Sequence, residues 1–322
     1  MQICWNEAMN EPGLRHGHVT FANPGLSGYR WPLLEVVGQL PGPRLCVMAG
    51  VHVNEASSVE AAYQIAAIVK AKELRGRVSI LPVVNIAGAF EHQAASPVDG
   101  KNMHWLYPGN AEGTFSDALA HALVSEWAEG ADAVVDMHGG DTGEDLIQYV
   151  VYQETRDGGL SSRNEELARC FHPDVMFRIP ADWLSRPGRS CTALANRSIP
   201  AVVSEAGRFP MLNAEDVAFH VTGVLNIARH LGMIDGAQGV APSESIVLQD
   251  YRFLVAPASG LFYPLVKSGD RVCAGRPLAR MKDLFGQDQC DLLAPASGVI
   301  MWIGTHLLVK EGEWVAGFGV CA

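Results

Sequence analysis

The sequence predicts an α/β fold, a mostly parallel mixed sheet flanked by helices, with a small all-β domain behind it. Three observations predict it. Apolar runs of strand length alternate with stretches whose apolar residues recur at helical spacing, as far as about residue 231. Several of the runs end in residues that can bind or move protons, and polar residues at the carboxyl ends of strands are where open α/β sheets build their sites. Beyond about residue 240 the helical spacing stops, and Ala256-Pro257-Ala258-Ser259-Gly260 recurs as Ala294-Pro295-Ala296-Ser297-Gly298. An internal repeat of that kind implies two related halves of a small β domain.

Taken in order, residues 1–43 are rich in Gly and Pro, and residues 31–37 read as an edge strand. Residues 45–48 are a buried strand running into Ala49-Gly50-Val51-His52-Val53-Asn54-Glu55. A helical stripe follows at Val59, Ala62, Ile65, Ala66, Ile68 and Val69, with Ser57 or Ser58 as its cap and Lys70, Lys72 and Arg75 near its end. A second strand spans 78–84 and is closed by Asn85. The next thirty or so residues, 86–115, are long for a plain connection, and their aromatic content favours an ordered, functional loop. Ser116 is read as the cap of a helix with Leu119, Leu123 and Trp127 on one face, and residues 133–138 as a third strand leading into Gly139-Gly140. Residues 146–152 and 175–179 are further apolar stretches, and Ser162 with Glu165 has capping-box spacing. A strand at 199–204 ends at Glu205-Ala206-Gly207, and a helix runs from Asn213 to about Leu231. The expected division is a catalytic domain over 1–244 and a small β domain over 245–322, with the boundary at about 240–248.

The composition excludes several classes. The chain has 322 residues, 48% hydrophobic and 18% charged, which is enough for a large core. Its formal net charge of −11 leaves no basic surplus to neutralise phosphates, so no nucleic-acid partner is expected. No apolar run reaches the ~18–20 residues that span a bilayer. The N-terminal Met1-Gln2-Ile3-Cys4-Trp5-Asn6-Glu7 has neither the basic nor the apolar region of a signal peptide. Seven scattered cysteines without a Cys-x-x-Cys pair imply reduced thiols and a cytoplasmic protein.

Four strand ends carry the chemistry: His52 with Glu55, then Asn85, His138 and Glu205. In a parallel sheet those ends lie together. His52, Glu55 and His138 make a His₂Glu set that suits Zn²⁺ and leaves a fourth position open. Glu205 is placed to take a proton from water there. Singly, each has an ordinary alternative, a hydrogen-bonded structural His or a solvated Glu. Their joint occurrence at strand ends favours the metal centre.

At these residues the chain resembles the succinylglutamate desuccinylase/aspartoacylase family of the zinc carboxypeptidase superfamily, over residues 30–235. The motifs are Gly50-Val51-His52-Val53-Asn54-Glu55, Asn85 with Gly88, Pro97-Val98-Asp99-Gly100 with Tyr107-Pro108-Gly109, Asp136-Met137-His138 and Glu205-Ala206-Gly207. The resemblance implies one zinc per chain on His52, Glu55 and His138, with Glu205 as general base. It also implies cleavage of the amide of an N-acyl amino acid or related small amine. Two further readings are a non-catalytic metal-binding paralogue that binds small molecules and a zinc esterase or peptidase.

Two departures bear on the substrate. Family members carry an Arg before Pro-x-Asp-Gly that polarises the scissile carbonyl, and Phe90-Glu91-His92-Gln93-Ala94-Ala95-Ser96 holds none. The family's carboxylate-gripping Asn-Arg pair aligns with His104-Trp105, and an indole cannot pair with an anion. Trp105 instead offers a face for an alkyl chain or a cationic amine, so N-acetylaspartate and N-succinylglutamate are expected to be poor substrates. Arg186, Arg189 and Arg208 are candidates for holding a carboxylate. The expected substrate-binding set is Asn85, His104, Trp105, Arg189 and Arg208. The partner is a small N-acyl molecule, with neither nucleic acid nor membrane. The C-terminal domain resembles a biotinyl/lipoyl barrel-sandwich, but Met281-Lys282-Asp283-Leu284 lacks a convincing carrier setting, so no covalent cofactor is expected. That domain is expected to cover the site's mouth or to mediate contacts in a homo-oligomer.

Overall fold

The computed structural model describes residues 1–6, 12–239 and 244–321. Strands β1 (Gln2–Trp5), β2 (Gly13–Thr20), β3 (Trp31–Val37) and β4 (Leu40–Met48) precede helix α1 (Ala56–Ile68) and strand β5 (Arg75–Leu81). After the long loop come α2 (Phe115–Ala122), β6 (Ala133–His138), β7 (Glu144–Gln153), α3 (Gly158–Arg169) and β8 (Val175–Ile179). Then follow α4 (Ser190–Ala195), β9 (Ala201–Arg208) and α5 (Ala214–His230). The remaining strands are β10 (Ile246–Leu248), β11 (Asp250–Val255), β12 (Gly260–Pro264), β13 (Arg271–Val272), β14 (Pro277–Lys282), β15 (Asp288–Leu293), β16 (Gly298–Gly304), β17 (Leu308–Val309) and β18 (Trp314–Val320).

The main sheet runs β1-β2-β3-β5-β4-β6-β9-β7-β16-β18-β11, and β5, β4, β6 and β9 at its centre are mutually parallel. Its flanks are largely antiparallel, which makes the sheet mixed. Alternate residues of the central strands enter two separate cores, as parallel strands covered on both faces do. Leu45, Val47, Val135 and Val202 pack towards α1, α3 and α5. Cys46, Met48, Val134 and Val203 pack towards α2, α4 and the N-terminal strands. All seven cysteines are unpaired. Among the described residues no helix is long and apolar enough to cross a membrane.

Several local readings are corrected. β3 lies inside the sheet, between β2 and β5, because the N-terminal hairpin covers what reads as an edge. Trp31 is fully buried there, and its indole N–H donates to the Val84 carbonyl at 2.8 Å. The cap of α3 is Asp157, not Ser162, and Thr114 with Asp117 forms the capping box of α2. Ser116 is the second residue of the helix, its hydroxyl donating to Asp99. Neither Ser57 nor Ser58 caps α1, because Glu55 holds that position and the Ser58 hydroxyl donates back to the Glu55 carbonyl.

The C-terminal repeat is a structural repeat. Ala256 N donates to the Glu313 carbonyl at 2.8 Å, and Ala294 N donates to the Arg276 carbonyl at 2.9 Å. Ser259 Oγ accepts from Glu311 N, and Ser297 Oγ accepts from Ala274 N, so each copy of the phrase braces a turn contributed by another part of the unit. One four-stranded antiparallel sheet, β15-β14-β12-β17, belongs to this region alone. The other strands extend the main sheet: β16 pairs with β7 through Trp302↔Leu146, Ile303↔Asp145 and Gly304↔Glu144. Part of the expected boundary, residues 240–243, lies outside the described residues.

Gly317 on β18 is one of the tight points of this extension. A Cβ there would meet the Trp302 indole and the Tyr251 hydroxyl, each at 2.3 Å. Alanine ordinarily favours a strand over glycine by about 0.5–1 kcal/mol. Overpacking of about 1–3 kcal/mol outweighs that. Gly317→Ala is therefore expected to lower the thermal unfolding midpoint by a few degrees, and an unchanged midpoint would show that the two rings yield freely.

Candidate active site

Three parallel strands deliver the site. β4 ends at Met48, and Gly50, at φ +65°, turns the chain so that His52 and Glu55 follow at the start of α1. A side chain at Gly50 would press on the Val83 Cα at 3.0 Å, so the turn requires glycine. In register, Met48 lies beside Asp136, and His138 lies beside Glu205.

The ligand-type atoms of His52, Glu55 and His138 all lie within 4.8 Å of one another. His52 Nδ1 is 2.6 Å from Glu55 Oε1, and His138 Nδ1 is 3.1 Å from Glu55 Oε2. Both imidazoles thus turn Nδ1 towards one carboxylate. Their far nitrogens are also held. His52 Nε2 is hydrogen-bonded to Asn102 Oδ1 at 3.0 Å, and His138 Nε2 lies 3.2 Å from Asp136 Oδ1, an ion-pair distance without hydrogen-bond geometry. Asp136 in turn accepts a hydrogen bond from the Ser190 hydroxyl. Partners of this kind fix the tautomer and aim of a metal-binding histidine. Glu55 Oε2 is buried, and its 3.1 Å contact with His138 Nδ1 lacks hydrogen-bond geometry, which leaves the oxygen available to a cation. The donor set therefore fits a divalent metal.

Electrostatics point the same way. Burial opposes charge on Glu55, but His52 and His138 outweigh it and hold the carboxyl at about 2. Burial likewise opposes protonation of His52, and Glu55 outweighs it, raising the imidazole to about 9. Metal binding here must displace protons, so its affinity falls as pH falls. Glu205 faces the same cavity, and burial raises its carboxyl to about 8 against the pull of His138.

The cavity, about 200 Å³, is lined by the three ligand-type residues, Glu205, Asn102, His104, Trp105, Arg189, Tyr149, Asp141 and Glu144. Tyr251, Phe253, Trp302 and Trp314 complete it from the C-terminal strands. Trp105 is packed into this wall. Its ring meets His104 at 4.6 Å, Phe253 at 5.7 Å and Trp314 at 6.1 Å, and the Arg189 guanidinium lies 5.4 Å from its centroid. Much of the indole is thus engaged by protein rather than free for a ligand. Burial, with His138 and Arg189, pushes the His104 imidazole well below its usual range and keeps it neutral.

Two expected substrate contacts lie elsewhere. Asn85 turns its side chain inward, accepting from Gly88 N at 3.1 Å as the cap of a short turn, and does not line the cavity. Arg208 is exposed, 3.6 Å from Asp145, and lines a separate cleft of about 510 Å³. Arg186 stacks on Trp183 at 4.2 Å, outside the cavity. Sequence reasoning gave no role to Asn102, Asp136, Asp141, Glu144, Tyr251 or Phe253. Asp136 was within reach, since a residue two before His138 shares its strand face.

Two substitutions test the centre. His52→Ala should abolish binding of a divalent metal. Asp136→Asn should weaken it about 10–100-fold through the loss of support to His138, measured by competition with a chelator. Unchanged affinity in the second variant would leave Asp136 as packing only.

The sequence profile of the succinylglutamate desuccinylase/aspartoacylase catalytic domain matches residues 41–231. An N-alpha-acetyl-L-2,4-diaminobutyric acid deacetylase from Halomonas elongata is 26% identical over 290 residues, covering 87% of this chain and 83% of that protein. The product-bound ectoine utilization protein EutE (DoeB) from Ruegeria pomeroyi superimposes with a TM-score of 0.84 at 22% identity, over 99% of this chain and 98% of the other. A succinylglutamate desuccinylase from Silicibacter sp. gives 0.85 at 21% identity, over 99% and 98%. A succinylglutamate desuccinylase/aspartoacylase from Rhodobacter sphaeroides gives 0.81 at 24%, over the whole of both chains. These three structures share the fold, and the profile spans more than half of the sequence. The chain belongs to the succinylglutamate desuccinylase/aspartoacylase family.

Proposed function

We propose that the protein is a zinc-dependent deacylase that hydrolyses the amide of an N-acylated amino acid, with a preference for substrates that are cationic at the far end. The observation that carries this is the convergence of His52, Glu55 and His138 with the buried carboxyl of Glu205 in one small cavity. One zinc per chain, held by the first three, would supply Lewis acidity and acidify a water in the cavity. Glu205 takes a proton from the attacking water as its oxygen bonds to the carbonyl carbon and the C=O π pair moves onto oxygen. When the C–N bond breaks, its electron pair stays on nitrogen, and Glu205 returns the proton to that leaving amine. The products are a carboxylate and a free amine.

Arg189 is the guanidinium that lines the cavity, and its Nε is buried without a hydrogen-bond partner, so it suits the α-carboxylate of an amino-acid substrate. Asp141 and Glu144 add carboxyl groups to the wall, the second raised to about 7 by burial, beside aromatic rings that favour a cation. The Halomonas relative, named for an acetylated diamino acid, supports this preference. In this reading residues 1–244 form the catalytic domain, and residues 245–322 complete the cavity wall. The unpaired cysteines accord with a cytoplasmic location.

Glu205→Gln should retain fold and metal yet lose at least about a hundredfold in kcat, because an amide cannot accept the water's proton. An active, metal-replete variant would overturn the mechanism. A wild type that binds N-acyl amino acids but never turns them over would favour the non-catalytic paralogue. For specificity, kcat/KM should be about 10–100-fold higher for Nα-acetyl-2,4-diaminobutyrate than for N-acetylaspartate, a discrimination in the range that an unpaired buried charge imposes. Should N-acetylaspartate prove the best of a matched series, Asp141 and Glu144 do not set the preference.

A further inference from the structure

Hydrolysis at this centre needs a donor for the amide oxygen, which gains charge as the carbonyl carbon becomes tetrahedral. Residues 90–96, where an Arg is expected for that purpose, contain none. The cavity has other donors, among them the Asn102 amide, Arg189 and the Tyr149 and Tyr251 hydroxyls. Asn102 is held through its carbonyl oxygen, which accepts from His52 Nε2 and from the His104 backbone N–H, each at 3.0 Å, and its amide N–H groups are not part of those contacts. Arg189 lies towards Trp105 and Phe177, its Cζ 5.4 and 5.7 Å from their ring centroids.

His104 is the donor whose ring packs against both imidazoles. Its ring centroid is 4.8 Å from that of His138 and 5.7 Å from that of His52, so it stands beside the metal-type ligands without joining them. The residue is 5% exposed, and its Nδ1 is sealed from solvent without a hydrogen-bond partner. No side-chain hydrogen bond engages either ring nitrogen among the described residues. A buried polar group left unpaired in this way costs about 1–3 kcal/mol and is uncommon unless a partner arrives. The ring is nonetheless held still. It sits on a 3-10 turn, Met103–Trp105, capped by Asn102, and meets the Trp105 ring edge to face at 88°. Trp105 is in turn backed by Phe253 and Trp314. Rigid placement is what lets a donor act on a transition state without reorganising.

We infer that His104 is a catalytic residue: its ring N–H donates to the amide oxygen as that oxygen becomes an oxyanion, the task for which relatives use an Arg. This rests on the deacylase reading. The donor keeps its proton throughout, since it stabilises charge and transfers nothing. Its neighbour Trp105 is then the brace that fixes the imidazole, which gives the His104-Trp105 pair a joint role.

The test compares wild type, His104→Phe, His104→Leu and His104→Gln as full-length, zinc-loaded proteins. Phe keeps the ring and its packing without the donor, Leu guards against a Phe variant that does not fold, and Gln restores an N–H. Three quantities are measured: bound zinc, kcat and KM on the best N-acetyl amino acid, and the affinity of a phosphonate analogue of its tetrahedral state. Loss of the donor should leave zinc at wild-type content and KM within about threefold, while kcat falls about 10²–10³-fold. Analogue affinity should fall with kcat, and Gln should recover part of both. The inference is overturned if kcat stays within about threefold, if zinc is lost, or if kcat falls while analogue affinity holds. A wild type without turnover on any N-acyl amino acid overturns the deacylase reading itself. A fully active Phe variant beside an active wild type removes only the role of His104.

Discussion

The register of three parallel strands is the constraint on which the site depends. β4, β6 and β9 lie side by side, and Met48↔Asp136 and His138↔Glu205 are direct neighbours across them. A slip of one residue in β6 would turn His138 and Asp136 to the other face together. The two cores guard against that slip, because Val134 packs on one side and Val135 on the other. Ligand geometry is thus secured by apolar packing well away from the cavity.

Within that frame the site concentrates groups that are expensive to bury. Glu55 lies between two imidazoles, Asp136 backs one of them, and Glu205 stands in the next strand, all nearly inaccessible to water. Charges so placed are stable only when each has a compensating neighbour. Glu55 also occupies the N-terminal end of α1, where the helix dipole favours a carboxylate. Asn102 connects this set to the long loop, accepting from His52 and from the His104 backbone. That loop is consequently part of the centre, although it carries little regular structure.

How much of this was legible depended on whether the signal was local. The strand ends bearing His52, Glu55, His138 and Glu205 announce themselves by a polar residue after an apolar run, and the family motifs are contiguous. The repeat at Ala256 and Ala294 is likewise a matter of reading letters. Cap positions were less legible, since Asp157 and Ser162 both offer an oxygen and only the backbone path chooses between them. β3 looked like an edge because nothing in its own residues reveals the hairpin laid against it. The cavity wall was the least visible. Tyr251, Phe253 and Trp314 reach the site only because β16 pairs with β7, a contact between residues far apart in the chain. Arg208, close to Glu205 in sequence, points outward to Asp145 for the complementary reason: nearness along a strand says nothing about the end of a long side chain.

The pairing of β16 with β7 has a further meaning for traffic in and out of the site. Many enzymes admit their substrates by swinging one half of the chain away from the other about a hinge. Here such a swing would tear a backbone ladder, Trp302 to Gly304 from Leu146 to Glu144, in the middle of a continuous sheet. The roof and the floor of the cavity are joined in one sheet. Along the cavity wall the half-exposed Trp314 ring lies stacked on Phe253 at 4.5 Å. Access is then a matter of side chains rather than of a hinge between two halves of the chain.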